Sequence, residues 1–181
     1  ILILAGLTVA LVVSFAVDIA WGPAKYDILE VVAAILNPAS APDQIRVVVW
    51  DIRMPVAVMA IVVGAALSAA GAQMQTILAN PLASPFTLGI SAAASFGAAL
   101  AIVIGVPFLP VPAGYAVPVN AFLMALVATM FIHFISQARG VTVQTVVLLG
   151  IALVFTFNAL LAFLQYLASE QALATVVFWT M

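Results

Sequence analysis

Cysteine is absent from the 181 residues, and histidine occurs once, at position 133. Disulfides and thiolate metal sites are thereby excluded, and His133 alone cannot build a multi-histidine metal centre. Charge is nearly as scarce. Lys, Arg, Asp and Glu make up 6% of the chain, where a soluble domain carries about a quarter. A net charge of −2 is too small to hold nucleic acid or another polyelectrolyte. No Gly-x-x-x-x-Gly-Lys phosphate loop occurs, so the chain is not expected to bind and split ATP in the usual cradle.

What fills the sequence instead is hydrocarbon. Sixty-seven per cent of the residues are hydrophobic, and the mean hydropathy is +1.37. The few charges are gathered together: Lys25, Asp27, Glu30, Asp43, Arg46, Asp51 and Arg53 all fall between Trp21 and Met54. Long uncharged intervals on either side are what a chain embedded in lipid requires. The pattern predicts an all-α, polytopic transmembrane helical bundle, because lipid leaves no partner for an unpaired strand. Counting apolar runs of about 20 residues gives five spans, at about 1–19, 54–78, 86–105, 115–135 and 144–168. The third is short and weakly hydrophobic, with Gly89, Ser91, Ser95 and Gly97 inside it. Ile1–Val17 has no basic leader and no clear small-x-small cleavage site, so it reads as a retained first span rather than a signal peptide.

The connection at about 22–53 is the one long polar stretch. Asp27 and Glu30 there resemble a helix start, and Ile28, Leu29, Val32, Ile35 and Leu36 recur at helical spacing until Asn37-Pro38. A short surface helix is expected. In the second span Gly64, Ser68 and Gly71 lie on one face, where another backbone can approach closely. Asn80-Pro81 and Ser84-Pro85 then break the helix, making Asn80, Pro81 and Pro85 a structural turn. Asn158 and Gln165, seven residues apart in the fifth span, share a face. Intramembrane amides must meet protein or water, and spacing alone leaves open which of the two these meet.

Chemistry is mostly excluded. An intramembrane protease needs an aspartate pair, a Ser–His pair or metal ligands within spans, and none is arranged here. Ion-coupled carriers usually place carboxylates or histidines near the membrane centre; the five spans hold essentially none. A pore-forming subunit driven by another polypeptide is the reading that survives. An ion-coupled secondary transporter, or a membrane assembly subunit without a pathway, are the alternatives.

Arg53-Met-Pro55, Gly64-Ala-Ala-Leu-Ser-Ala-Ala-Gly71, Gln75, Asn80-Pro-Leu-Ala-Ser-Pro85 and Leu88-Gly89 occur in that order. Leu149-Gly-Ile-Ala-Leu153 and Phe178-Trp-Thr-Met181 follow. Together they resemble the FecCD-like permeases, the membrane subunits of ABC importers for iron–siderophore complexes, haem and cobalamin. The resemblance implies a ten-helix subunit, of which this chain is expected to be the N-terminal half. It implies a second permease subunit in a homodimer or pseudo-dimer. It also implies two cytoplasmic ATPases that bind ATP and Mg, and a substrate-binding protein docked outside. No cofactor is expected in the chain itself. By motif position Arg53, with Arg46 beside it, is expected to dock the binding protein, although Val56 stands where the family has a second arginine. Asn158 and Gln165 become candidates for the translocation path or the dimer seam. Thr142, Val143 and Gln144 mark the cytoplasmic gate region. The family orientation puts the N-terminus in the cytoplasm of a prokaryotic cell and the 22–53 connection outside. A naive count of Lys and Arg points the other way.

Overall fold

A computed structural model describes residues 1–22 and 26–181, so Lys25 of the polar connection lies outside the described residues. All regular structure among them is helical, and the chain is the all-α, polytopic bundle that the composition predicts. It divides into two compact units, Ile1–Ser68 and Ala69–Met181.

In the first unit, α1 (Leu2–Ala20) is an uninterrupted apolar run that ends where Trp21 turns extended. Helix α2 (Ile28–Leu36) starts at Asp27, whose carboxylate accepts the Leu29 amide at 3.3 Å, and stops at Asn37, before Pro38. The short helix predicted in the connection is therefore present, with the expected cap. Helix α3 (Asp43–Ile77) begins well before the predicted position near 54. Its early part, Val47–Arg53, is π-helical. Pro55 explains the widening: it offers no N–H to the fourth residue back, and its ring crowds the Asp51 carbonyl. Ile19, Val31, Ala34, Ile45, Val49 and Ala57 form the core, with Phe15 and Tyr26 against it. Trp50 donates its indole N–H to the Ala34 carbonyl at 3.0 Å and ties α3 to α2.

In the second unit, the end of α3 passes through a turn and a single 3-10 turn (Pro85–Leu88) into α4 (Ile90–Ile104), regular to Ala99 and π-helical beyond it. Helices α5 (Ala113–Ser136), α6 (Val143–Leu167) and α7 (Glu170–Thr180) follow. Four of the described helices, α1, α3, most of α5 and α6, are long and apolar enough to cross a membrane. The predicted third span is the exception. At a rise of about 1.5 Å per residue α4 reaches only about 22 Å, short of the roughly 30 Å hydrocarbon layer. The sequence reading also carried no helix beyond 168. Helix α7 forms there because Ser169 caps it, accepting the Ala172 amide at 3.3 Å, and because Val176 closes a core with Ala99 and Leu164.

Two close contacts set the packing of this unit. Gly97 of α4 meets α5 so tightly that a Cβ would lie 2.5 Å from the Asn120 carbonyl oxygen and 2.7 Å from Met124 Cβ. Asn120 itself is fully buried. Its side-chain oxygen accepts the Phe108 amide at 2.8 Å, and its NH2 donates to the Val106 carbonyl at 2.9 Å. The stiff connection between α4 and α5 is thus fastened to the wall of α5. A buried amide with both halves used is stable in an apolar surrounding, where an unpaired one is not.

Candidate functional site

Arg53, the cation that opens the second predicted span, is turned inward in the first unit. It is 8% exposed. Among its hydrogen bonds, Nη1 donates to the Ile19 carbonyl at 2.9 Å and to the Ala20 carbonyl at 3.2 Å. These are carbonyls of the last turn of α1, which has no further helical turn to accept from and carries the negative end of the helix dipole. Gly22 lies directly on the guanidinium: a Cβ there would sit 2.5 Å from Nη2 and 2.8 Å from Cζ. Arg53 is therefore a clamp on the C-terminus of α1. The residue expected to dock a binding protein is thus held against α1, with Gly22 over its guanidinium. Arg46 is the outward cation of the described residues in this unit. It pairs with Asp43 at 2.8 Å, and both side chains are largely solvated, so the pair adds little stability.

The small-residue face of α3 is open among the described residues. Nothing approaches Gly64, Ser68 turns its hydroxyl back to the Gly64 carbonyl at 2.7 Å, and Gly71 meets only Pro85 Cδ, at 3.9 Å. The glycines that do admit a neighbouring backbone are ones for which the sequence reading proposed no contact: Gly97, Gly89 and Gly150.

The turn after α3 is built as its residue types demand. Ala79 takes a left-handed backbone (φ 46°), and the Asn80 side chain accepts the Leu82 amide at 2.9 Å, so the amide stands in for a backbone turn. Pro85 opens the 3-10 turn, where its missing N–H costs nothing. The Thr87 hydroxyl bonds back to the Ser84 carbonyl at 2.7 Å. Gly89 then adopts φ +77° and lies on α6. The start of α6 is capped by Thr142, whose hydroxyl accepts the Thr145 amide at 3.3 Å. Val143 and Gln144 line a cleft of about 440 Å³ together with Leu78, Asn80, Val147 and Leu148. The structure thus brings the Asn80 turn opposite the predicted gate region. An adjoining cleft of about 540 Å³ runs on between Leu82 and Phe86 on one side and Ile151 and Phe155 on the other.

Asn158 is exposed and Gln165 half-buried, one turn on from Leu161. Inward-facing residues are Gly150, Phe157, whose ring lies 5.9 Å from that of Phe96, and Leu161 and Leu164. The two amides do not converge with the clefts at the other end of α6. His133 is exposed and contacts Gln137 at 2.8 Å, and no group of three or more metal-ligating side chains occurs among the described residues.

A family model described as the FecCD transport family matches residues 10–181. The chain belongs to the FecCD transport family. A protein from Methanocaldococcus jannaschii, named as an ABC transporter permease protein, is 39% identical over 168 residues, 88% of this chain and 47% of its own length. The vitamin B12 import system permease of Yersinia enterocolitica is 31% identical over 136 residues, 75% of this chain and 40% of its own. A solved chain described as a metal-chelate type ABC transporter in an inward-facing conformation superposes with a TM-score of 0.71. It is 26% identical and covers 98% of this chain and 50% of that one. The chain spans about half the length of the relatives it matches, or less.

Proposed function

We propose that this FecCD chain is part of the permease of an ATP-driven ABC importer, one that moves an iron chelate, haem or cobalamin delivered by a substrate-binding protein. The observation that carries the reading is the superposition on a metal-chelate ABC transporter over nearly the whole chain, supported by the family match. The composition agrees, since the membrane-spanning helices lack the central carboxylates of an ion-coupled carrier and the chain lacks a phosphate loop. Energy then comes from two cytoplasmic ATPase subunits that hold ATP and Mg, and a second permease subunit completes the path in the cytoplasmic membrane.

In this reading the N-terminus is cytoplasmic, α4 recrosses the membrane together with the connection at 105–112, and the Asn80 turn and Thr142–Gln144 both lie on the cytoplasmic side as the gate region. Asn158, which is exposed, and Gln165, which is half-buried, face the path or the second permease subunit. Arg46 is the docking cation for the binding protein, and Arg53 supports that rim from beneath. Gly64, Ser68 and Gly71 receive a helix from elsewhere in the assembled permease.

The test is uptake by proteoliposomes containing the complete permease with its ATPase. Uptake of a ferric chelate, haem or cobalamin that requires both ATP and the binding protein is the expected result. Failure of the permease to co-purify with any ATPase sinks the proposal. Uptake that persists without ATP and collapses with an ion gradient replaces it with a secondary carrier.

A further inference from the structure

Arg53 fixes the level at which α1 and α3 stand against each other, through its bonds to the Ile19 and Ala20 carbonyls at 2.9 and 3.2 Å. From that level the two helices descend into the membrane, α1 toward its start and α3 toward its end. Below it they part around a cleft of about 410 Å³ within the first unit. Leu11, Ser14 and Asp18 line it on α1, and Ala57, Ala60 and Ile61 on α3. At about 1.5 Å per residue, Leu11 lies about 13 Å below Ala20 along the helix and Ile61 about 12 Å below Arg53. Half of a hydrocarbon layer of about 30 Å is about 15 Å. The cleft therefore runs from the rim of one leaflet to near its floor.

Only the rim end of the cleft is polar. Asp18 stands two residues from the end of α1, and Ser14 follows one turn deeper on the same face. Deeper still the lining is Leu11, Ala60 and Ile61, without a polar side chain. Among the described residues the Asp18 carboxylate joins no ion pair, the acidic partner of Arg46 being Asp43. Ser14 does not return its hydroxyl to the carbonyl four residues back, as Thr8 of the same helix does at 2.9 Å. Hydrocarbon offers neither group a partner. On the facing wall Ala57 is buried and Ala60 exposed, and their small side chains keep the cleft open.

We propose that this cleft seats one phospholipid with a primary ammonium headgroup, a phosphatidylethanolamine. The ammonium donates to the Asp18 carboxylate, an ester carbonyl accepts from the Ser14 hydroxyl, and one acyl chain lies along Leu11, Ala60 and Ile61. A carboxylate without a cation attracts an ammonium and repels an anionic headgroup. Its lone pairs reward N–H donors, which a primary ammonium has and a trimethylated one lacks. Carboxylate, hydroxyl and hydrocarbon also follow one another down the cleft in the order of a lipid's own parts, from headgroup to chain. A protein helix in the same place would need a basic side chain at that one level. The proposal goes beyond the importer reading: it depends neither on that reading nor on which leaflet the end of α1 reaches.

The test is native mass spectrometry of the complete permease, titrated in micelles with phosphatidylethanolamine, phosphatidylglycerol or phosphatidylcholine of the same acyl chains. One phosphatidylethanolamine is expected to be held at least about fivefold more tightly than either of the others, as a partly solvated charge-assisted hydrogen bond requires. Asp18→Asn is expected to erase the preference. Ala60→Phe fills the cleft from an exposed position and leaves both polar groups in place; it is expected to release the tightly held lipid. A phosphatidylethanolamine with a diazirine in its acyl chain then locates the site, with adducts expected between Leu11 and Phe15 or between Ala57 and Ile61. Equal retention of the three lipids overturns the proposal, as does an Asp18→Asn protein that keeps the preference. Adducts confined to other helices also overturn it, and the absence of any adduct assigns the cleft to another helix of the permease. The lipid comparison and the adduct map use the unsubstituted protein, so a variant that fails to fold leaves both able to refute it.

Discussion

Replacing Arg53 by alanine separates two roles that the motif alone confounds. If the guanidinium works only on a docked partner, its loss weakens docking and leaves the permease as stable as before. The geometry says otherwise. Two carbonyls of the last turn of α1 receive a charged donor at 2.9 and 3.2 Å from a side chain that is 8% exposed. A hydrogen bond from a charged group contributes about 1.5–3 kcal/mol. Taking the low end for both bonds, because water reaches a rim position, the variant is expected to lose roughly 3 kcal/mol. Gly22→Ala removes no charge and no donor, yet its Cβ would strike the guanidinium at 2.5 Å, so it should displace the same clamp. The two substitutions should therefore be strongly non-additive: the double variant should be no less stable than the worse single one, since once the clamp is gone the second change has little left to disturb. The assay is reversible unfolding of the purified permease in mixed micelles, run as a double-mutant cycle with Arg53→Lys as a third variant. Lysine keeps the charge with a point-like donor in place of the planar fork and is expected to recover part of the loss. Additive Gly22 and Arg53 effects, or an Arg53→Ala protein within about 0.5 kcal/mol of the original, the range of an ordinary surface substitution, would refute the clamp.

Three other perturbations test separate parts of the fold. Asn120→Leu removes both bonds to the Val106–Phe108 connection and should cost about 1–3 kcal/mol, the range for leaving buried partners unmet; hydrogen exchange at the Phe108 amide should rise with it. Gly97→Ala pushes a methyl group into the Asn120 backbone oxygen, so the loss should exceed about 1 kcal/mol, as overpacking does, and show as reduced thermal stability of the solubilised permease. Asp43→Asn, which frees Arg46 from a largely solvated pair, should change stability by under about 1 kcal/mol. It should also tighten docking of an acidic partner at low salt, with the gain fading above about 0.15 M salt as screening sets in, measured by titration of the binding protein.

The parts legible in the sequence are those with a local cause. A run without charge or proline becomes α1, Asp27 caps α2, and Asn80, Pro81 and Pro85 impose a turn whose bonds stay within a few residues. The parts that were missed are those whose partner is distant and carries no distinctive side chain. Asn120 spends its amide on the backbone of Val106 and Phe108, and any residue types there would have offered the same N–H and C=O. Arg53 spends its charge on the carbonyls of Ile19 and Ala20, so nothing in Ile-Ala marks them as a cation's partner. Helix α7 forms on a serine cap and a single buried valine, too little periodicity to read beforehand.

Glycine shows the same limit from the other side. Gly64, Ser68 and Gly71 recur at helical spacing and look like a seam, yet among the described residues nothing approaches Gly64 and only Pro85 Cδ comes near Gly71. Gly89 and Gly150 share no periodicity at all and meet backbone to backbone. Spacing along one helix reports that a close approach is possible; it carries no information about which backbone arrives. The two glycines that stood in separate family motifs, Leu88-Gly89 and Leu149-Gly150, acquire a common physical reason only when the fold lays one on the other. A side chain at either position would collide with backbone, which cannot rotate out of the way as a side chain can. Substitutions at this pair should therefore disturb the placement of the turn more than those at the open face of α3 within the isolated chain, where Gly64→Ala meets no atom within 4 Å.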